Sequence, residues 1–314
     1  MGKIPASVKE KIQQIKADNT SGASVLTGVA AETLKLLARE CKAEDPAEFR
    51  DLLYKTAVQL IQAQPVMASI FSLVNSILME YNEFRGKVSF QEAKLPDVCD
   101  QFITAQNTAE DRMKTKAAGV IRDGHVLLTH SYSSNVLATL QAACKAGRKF
   151  EVICTESRPA NEGVILAEQL GKEGISVQLI TEAAIPLMLE RVNTIFVGAD
   201  AVSERFITNK IGTYSLALAA QSGKADFYVL CTTHKLVPQN LNLLAQQRKP
   251  DSELLIAPPK NVQPVNYYYE NTPIRFCDGF ITEHGIIKPS KLQQRLNSLD
   301  VDEKLLERLQ ETSG

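Results

Sequence analysis

Apolar residues recur at helical spacing over the first part of the chain, from about residue 4 to residue 115. In VKEKIQQIKADN, which follows Pro5, the apolar residues Val8, Ile12 and Ile15 fall on one face. The same spacing predicts helices in SVLTGVAAETLKLLAREC, AEFRDLLYKTAVQLIQAQ, VMASIFSLVNSILMEYNEF and QEAKLPDVCDQFITAQNTAEDRMKTKAAGVI. No strand-like alternation interrupts them, so we predict a helical domain over residues 1–118.

Capping residues and prolines predict where these helices begin and end. We expect Ser21 or Ser24 to cap the second helix, because both hydroxyls precede its apolar run. Asp45-Pro46 suits the start of the third helix, and Pro65 separates the third from the fourth.

The pattern changes at Asp123-Gly124, which is a turn signal. From there short apolar runs alternate with helical patterns of about 10–15 residues, and this predicts βαβ units. The predicted strands are HVLLTH, FEVICTE, SVQLIT, TIFVGAD and DFYVLCT. We therefore predict an α/β fold, in which the helical domain is followed over residues 119–314 by a Rossmann-like, doubly wound parallel sheet.

The C-terminal part of this second domain has a weaker pattern. A loop-rich stretch follows Pro238, and LQQRLNSLDVDEKLLERLQ then predicts one polar helix. Neither G-x-G-x-x-G nor G-x-x-x-x-G-K-[ST] occurs, so neither a dinucleotide nor a P-loop nucleotide is implied. No cofactor is expected.

Composition narrows the function classes. Lys and Arg number 35 against 36 Asp and Glu, so nothing favours a direct nucleic-acid surface. No apolar run approaches the roughly 18–20 residues of a membrane helix, and the N-terminal segment lacks the apolar core of a secretory signal. The six Cys lack metal-ligand spacing, which predicts reduced, buried thiols, no metal site and a cytoplasmic location.

Polar clusters follow four of the predicted strands, and in a doubly wound sheet such strand ends converge on one crevice. The clusters are THSYSS at 129–134, TESR at 155–158, GAD at 198–200 and TTHK at 232–235. Asp200 is thereby placed where catalytic groups usually lie, although a surface carboxylate with no ligand fits the pattern equally well. His130 and His234 are candidate acid–base groups or hydrogen-bonded structural residues. Cys154 is expected in the core.

Several residues at these ends are suited to an anion. Asn209 can cap the apolar helix TYSLALAAQ, and Lys210 and the free N–H groups there would attract a phosphate. The hydroxyls of Ser131, Ser133 and Ser134 can also hold a phosphate, or Ser133 or Ser134 simply caps the following helix. Arg158 suits bidentate binding of a phosphate, or is solvated.

Five motifs together resemble the translation initiation factor 2B regulatory-subunit family: IKADNTSGA, LLTHSYSSNVL, CTESRP, VGAD…NKIGT and FITEHGIIKPS. That family includes the alpha, beta and delta subunits and archaeal relatives. It shares its fold with ribose-1,5-bisphosphate isomerase and 5-methylthioribose-1-phosphate isomerase. The resemblance implies a crevice between the domains that holds a sugar phosphate or nucleotide monophosphate. It also implies homodimers or larger homo-oligomers formed through the C-terminal domain, and translation initiation factor subunits as further partners.

The resemblance also assigns residues to the site. The isomerases use a Cys in a T-H-C motif and an Asp; here Ser131 replaces the Cys and Asp200 is kept. Two phosphate-site arginines of the isomerases are replaced by Ser21 and Gln64. The ligand-binding residues implied are Gly22, Ala23, Ser24, Ser133, Ser134, Arg158, Asn209, Lys210 and Lys235.

Two functions follow from this resemblance. In the first, the protein is a regulatory-subunit-like protein that binds a sugar phosphate or nucleotide monophosphate and self-associates without catalysis, because a serine hydroxyl needs an adjacent base to replace a thiol. In the second, it is a sugar-phosphate aldose–ketose isomerase with Asp200 as the acid–base and Ser131 as a weak substitute for the Cys. Acid–base placement alone contributes about 10²–10⁴-fold, which keeps the second function open.

Overall fold

The computed structural model describes residues 3–41, 45–84, 94–238, 241 and 247–312. The chain packs as two compact units. The helical unit comprises Met1–Thr108, His234–Leu243 and Leu296–Gly314, and the α/β unit comprises Ala109–Thr233 and Leu244–Arg295. The domain boundary at residue 118 stays a prediction, because a compact unit is not by itself an independently folding domain.

Eleven helices and ten strands occur among the described residues. The helices are α1 (Ala6–Ala17), α2 (Ala23–Glu40), α3 (Pro46–Ala63), α4 (Ala68–Glu83), α5 (Leu95–Ala118), α6 (Ser134–Lys145), α7 (Glu162–Lys172), α8 (Ile185–Met188), α9 (Thr213–Ala220), α10 (Pro289–Leu296) and α11 (Glu303–Glu311). The strands are β1 (Val126–Thr129), β2 (Glu151–Thr155), β3 (Ser176–Ile180), β4 (Thr194–Val197), β5 (Ala201–Val202), β6 (Phe206–Lys210), β7 (Asp226–Leu230), β8 (Tyr269–Pro273), β9 (Gly279–Thr282) and β10 (Gly285–Ile287).

The five helices predicted from the N-terminal pattern correspond to α1–α5. Residues 91–93, with which the last predicted helix was expected to begin, lie outside the described residues. Asp45 caps α3 through the Ala47 N–H, as expected. The expectation that Ser21 or Ser24 caps α2 is wrong, because the N-cap is Gly22, which has no side chain to form a capping hydrogen bond.

The C-terminal segment forms two helices, so the prediction of a single helix there is wrong. Asp302 ends the intervening turn and caps α11, since its carboxylate accepts a hydrogen bond from the Leu305 N–H at 2.7 Å. The same buried carboxylate accepts from the Tyr54 hydroxyl of α3 at 2.9 Å and from the Asn82 amide of α4 at 2.6 Å. Because Asp302 caps α11 and also contacts α3 and α4, the segment is divided into two helices before this residue.

The main sheet of the α/β unit has the order β10-β9-β7-β4-β1-β2-β3. All of its strands are parallel except β10, which pairs with β9 in the antiparallel sense. Without β10, and with these six strands counted in chain order, the order is 3-2-1-4-5-6, which is that of the doubly wound fold. The predicted α/β class is confirmed, and the strand order reverses between β1 and β4.

A second sheet of three strands, β5-β6-β8, was not predicted. Its strands are antiparallel, and β6 pairs with β8 from Phe206↔Pro273 to Lys210↔Tyr269. This pairing places Asn209 and Lys210 at the end of a strand, whereas the sequence predicted that they open the following helix.

The core of the α/β unit is formed by apolar side chains of the sheet and of α6 and α7, including Leu127, Val152, Leu166 and Phe196. Cys154 belongs to this core, as predicted, and burial raises the pKa of its thiol to about 12. In the part of the chain that the structure describes, no helix has the length and apolar content that crossing a membrane requires.

Candidate functional site

The polar residues at the carboxyl ends of β1, β2 and β4 surround the point where the strand order reverses. At the end of β4, a Cβ on Gly198 would lie 2.6 Å from the Ser133 Oγ, so only glycine fits beside the start of α6. Ser133 is the N-cap of α6, because its Oγ accepts a hydrogen bond from the Val136 N–H. Ser134 is exposed in the first turn. Of the two serines that could cap this helix, Ser133 is therefore the one that does.

His130 is a buried residue with both ring nitrogens hydrogen-bonded. Its Nε2 lies 2.7 Å from the Ile211 carbonyl, which only accepts, so Nε2 carries the proton. Nδ1 is therefore the acceptor for the Thr155 hydroxyl, also at 2.7 Å. Burial lowers the pKa of the ring, more strongly than the Ile211 carbonyl and the nearby carboxylates raise it. This histidine is neutral and structural, and no ring nitrogen remains for Ser131.

A chain of hydrogen bonds continues from His130 to Ser131. Because Thr155 donates its only hydroxyl proton to His130, the Ser157 hydroxyl donates to Thr155 Oγ1 at 3.1 Å. The Ser157 Oγ in turn accepts from the Ser131 N–H at 2.8 Å. Ser131 and Ser157 have left-handed backbone angles, with φ of 68° and 66°. Such conformations in residues other than glycine are strained and cluster at functional sites.

Ser131, Glu162 and Lys210 form the charged part of the site. Glu162 Oε1 accepts from the Ser131 hydroxyl at 2.9 Å and from the Lys210 ammonium at 2.7 Å. Glu162 Oε2 is buried and has no hydrogen-bond partner. The next residue, Gly163, lies so close to β2 that a Cβ there would be 1.8 Å from the Thr155 carbonyl oxygen. Glycine at this position is what allows the first turn of α7 to bring Glu162 to Ser131.

The expected anion site at α9 is already occupied by a side chain. Glu270 Oε1 accepts from the Gly212 N–H at 2.7 Å and from the Tyr214 N–H at 2.8 Å. The prediction that Asn209 caps this helix is wrong, because the N-cap is Gly212, with φ of 104°. Asn209 instead donates its amide to the Thr213 hydroxyl at 3.0 Å.

Lys210 has an aromatic neighbour in the segment before β8. Its ammonium lies 4.5 Å from the centroid of the Tyr268 ring, and the Lys249 ammonium lies 5.0 Å from the same centroid. Neither Tyr268, Lys249 nor Glu162 was predicted. No local signal marks them, because their roles depend on contacts between segments distant in sequence.

The other predicted site residues lie as follows. Asp200 is half-buried after β4, and its N–H donates to the Thr208 carbonyl at 2.8 Å. Arg158 is exposed after β2. Gly22, Ala23 and Ser24, at the start of α2, and the buried Lys235 belong to the helical unit. Their part in ligand binding stays a prediction.

His234 also belongs to the helical unit. The Ser72 hydroxyl donates to its carbonyl at 2.8 Å, and its ring meets that of Phe102 edge to face, with centroids 5.0 Å apart. These contacts favour the structural alternative.

The polar and charged groups of this arrangement are of the kind that can hold an anion. A serine nucleophile needs a base, and the Glu162 oxygen that contacts the Ser131 hydroxyl is already paired with Lys210. Among the described residues, no three His, Cys, Asp or Glu side chains come together as metal ligands. What the site offers is hydroxyls, backbone groups and ammonium groups at a sheet edge where ligands usually bind.

The chain is similar in sequence and in fold to proteins of one known family. The model of the initiation factor 2 subunit family matches residues 19–289. A protein of Pyrococcus horikoshii named as a translation initiation factor eIF-2B subunit 2-like protein is 31% identical over 291 residues, 92% of this chain and 99% of the relative. The ribose 1,5-bisphosphate isomerase of Methanocaldococcus jannaschii is 29% identical over 287 residues, 90% of this chain and 92% of the relative. The crystal structure of the Pyrococcus horikoshii translation initiation factor eIF-2B superposes with a TM-score of 0.80 and 30% identity, covering 91% of this chain and 98% of that chain.

Proposed function

Because this chain belongs to the initiation factor 2 subunit family, we propose that it is a binding protein of the initiation factor 2B regulatory type. It binds a sugar phosphate or a nucleotide monophosphate at the sheet end that holds Ser131 and Lys210, and it does so without isomerising the ligand. It also self-associates, and its further partners are translation initiation factor subunits in the cytoplasm.

The state of Ser131 carries this proposal. Its hydroxyl donates to a carboxylate that is already paired with Lys210, and the neighbouring His130 uses both ring nitrogens elsewhere. A serine hydroxyl without a free base beside it is a poor nucleophile, and the Glu162 oxygen next to Ser131 is shared with Lys210. The thiol that the resemblance assigns to the isomerases is by contrast partly ionised near neutral pH. The nearly equal identities to an initiation factor 2B-like protein and to an isomerase, 31% and 29%, do not separate the two functions, so the proposal rests on the chemistry of the site.

The test combines binding with turnover. We expect ribose 1,5-bisphosphate, other sugar phosphates or nucleotide monophosphates to raise the thermal unfolding temperature. A ligand at 100 times its Kd stabilises the native state by about 2.7 kcal/mol. NMR of the same incubation with ribose 1,5-bisphosphate should show no ketose. Turnover that is present in the natural protein and lost in Asp200→Asn would overturn the binding-only function.

A sugar-phosphate isomerase is the second candidate, and the position of Asp200 favours it. This carboxylate follows β4, beside the point where the strand order reverses, which is where an acid–base group would be placed. If this function holds, Ser131→Cys should increase the rate of conversion of an aldose 1-phosphate. The absence of any gain across aldose 1-phosphates would remove most of its support.

A further inference from the structure

Lys249 and Lys210 both lie against one aromatic ring in the α/β unit, with their ammonium groups 5.0 and 4.5 Å from the centroid of Tyr268. We propose that Lys249 is the second cation of a phosphate-binding subsite. In this subsite Lys249 and Lys210, both positioned against Tyr268, bind the phosphate of the ligand. This inference rests on the proposed function, since it names a further residue for the same ligand.

Backbone pairing holds the three residues in place. Lys210 ends β6 opposite Tyr269, and the next residue, Ile211, donates its N–H to the Tyr268 carbonyl at 2.8 Å. On the other segment, Arg248 forms an antiparallel bridge with Tyr267, and the Lys249 N–H donates to the Asn266 carbonyl at 3.0 Å. Both lysines are therefore carried by segments that are hydrogen-bonded to the one before β8. A site on paired segments is better ordered than one on an isolated loop.

The Tyr268 ring is itself fixed. Its side chain is buried, and its hydroxyl donates to Glu253 Oε1. The other oxygen of Glu253 accepts from the Asn266 amide at 2.8 Å. An aromatic face attracts an ammonium group, and more strongly when water is excluded. Tyr268 thus provides a rigid ring against which two flexible lysine side chains lie.

Each of the two lysines has a carboxylate near it, Glu162 for Lys210 and Glu253 for Lys249. Lys210 is paired with Glu162, while burial and the charge of Lys210 together lower the pKa of Lys249, although Glu253 opposes this. Two ammonium groups brought together at a partly buried surface repel each other, and a phosphate that binds both relieves the repulsion. Lys210 and Glu162 connect the subsite to Ser131, so a phosphate here leaves the sugar hydroxyls beside a serine and a carboxylate.

The ligand class that fits is a phosphate ester with hydroxyls next to the phosphate. A lysine pair binds phosphate through charge and not through the fixed bidentate geometry of arginine. We therefore expect a strong requirement for the phosphate and a weaker requirement for what it is attached to. Ribose 5-phosphate and ribose 1,5-bisphosphate should bind, whereas ribose should not.

The experiment is isothermal titration calorimetry of the full chain with ribose 1,5-bisphosphate, ribose 5-phosphate and ribose. Lys249→Met keeps most of the aliphatic side chain and removes the charge; we expect it to weaken binding of both phosphates about tenfold or more. Lys260→Met is the matched control, because Lys260 is exposed in the same segment, and it should bind as the natural protein does. Lys249→Arg, which keeps the charge, should recover most of the affinity and serves also if Lys249→Met fails to fold.

The outcomes separate the two proposals. Tight binding of a phosphate by the natural protein with equal binding by Lys249→Met would overturn the lysine pair and leave the proposed function intact. Equal losses in Lys249→Met and Lys249→Arg would also overturn it, because charge would then not be what matters. No binding of either phosphate by the natural protein would overturn the lysine pair as a sugar-phosphate subsite and would restrict the proposed function to nucleotide monophosphates.

Discussion

His130 orders the end of β1 by connecting it to two other segments. It donates to the Ile211 carbonyl and accepts from the Thr155 hydroxyl, so the ends of β2 and β6 are held to β1 through one neutral ring. Because a protonated ring donates from Nδ1, the Thr155 hydroxyl would have to become the acceptor in acid, and its present orientation would be lost. The hydrogen-bond chain through Ser157 to Ser131 depends on the same tautomer.

Stability should therefore fall as the pH drops below about 6.5, the ordinary pKa of histidine. Burial lowers the pKa of His130 in the folded state. Below pH 6.5 the unfolded chain therefore binds the proton more readily than the folded chain, and this lowers the free energy of unfolding. Each such group contributes a slope of at most about 1.4 kcal/mol per pH unit. We expect the urea midpoint to fall between pH 7.5 and 5.5, and to fall less in His130→Gln.

The comparison needs a histidine that is not buried. His284, whose side chain is half exposed, provides it as His284→Gln, which should keep the pH dependence of the natural protein. His125, whose pKa burial also lowers, is present in all three proteins and does not affect their differences. A steeper or unchanged slope in His130→Gln would show that the ring does not titrate as its hydrogen bonds indicate.

Residue roles could be predicted from sequence only where the contact is local. The Ser133 cap was one of two alternatives, and its partner Val136 is three residues away. Glu162 meets Ser131 across 31 positions, and nothing in the local pattern marks it. The resemblance to a family assigned Lys210 to the ligand, but the aromatic ring against its ammonium depends on strand pairing that the sequence did not reveal.

The junction between β6 and α9 shows how one glycine positions an element. Gly212 is the N-cap of α9 with φ of 104°, a conformation that other residues adopt only with strain. A Cβ there would also lie 2.8 Å from the Cε1 and Nε2 atoms of His130. We expect Gly212→Ala to lower the free energy of unfolding by about 2–4 kcal/mol, through backbone strain and displacement of the ring.

Gly124→Ala separates these two costs. Gly124 also has a positive φ, of 79°, but a Cβ there meets no atom within 4 Å. Its alanine variant should lose only about 1–2 kcal/mol, which is the strain alone. Urea unfolding of both variants measures the difference, and equal losses would mean that the ring yields to the added methyl group without cost.

Elements were predictable where an apolar period ran long enough. The strands β1, β2, β3, β4 and β7 and the helices α1–α5 follow such periods. The strands β5, β6 and β8 do not: β5 has only two residues, and FITNK and YENTP of β6 and β8 contain no apolar run. The strand β6 instead gains its stability from β8, about sixty residues further along. The C-terminal break between α10 and α11 was missed because its cap acts through Tyr54 and Asn82, far away in sequence.

For the whole molecule, the alternation of strands and helices predicted the fold class but not the strand order. Parallel strands with right-handed connections leave few arrangements, and the observed order is the doubly wound one. That order explains why Ser131 and Asp200, which follow β1 and β4, lie at neighbouring strand ends. The function of the site then depends on which side chains the helices and loops add there.

Self-association, the last part of the proposed function, is a property of the whole molecule. Among the described residues, most of the large apolar side chains that remain exposed belong to the α/β unit, with Leu187 78% and Ile256 88% exposed. Such surface is rarely left to water and marks interfaces when it is extensive. Sedimentation equilibrium should therefore give at least twice the chain mass of 34.5 kDa.

The variant Leu187→Asp/Ile256→Asp should shift the protein toward monomer, because a buried carboxylate without a partner is costly. Val25→Asp, on a side chain 59% exposed in the helical unit, is the matched control and should leave the assembly intact. A natural protein that sediments as a monomer, or equal dissociation in the control, would contradict association through the α/β unit.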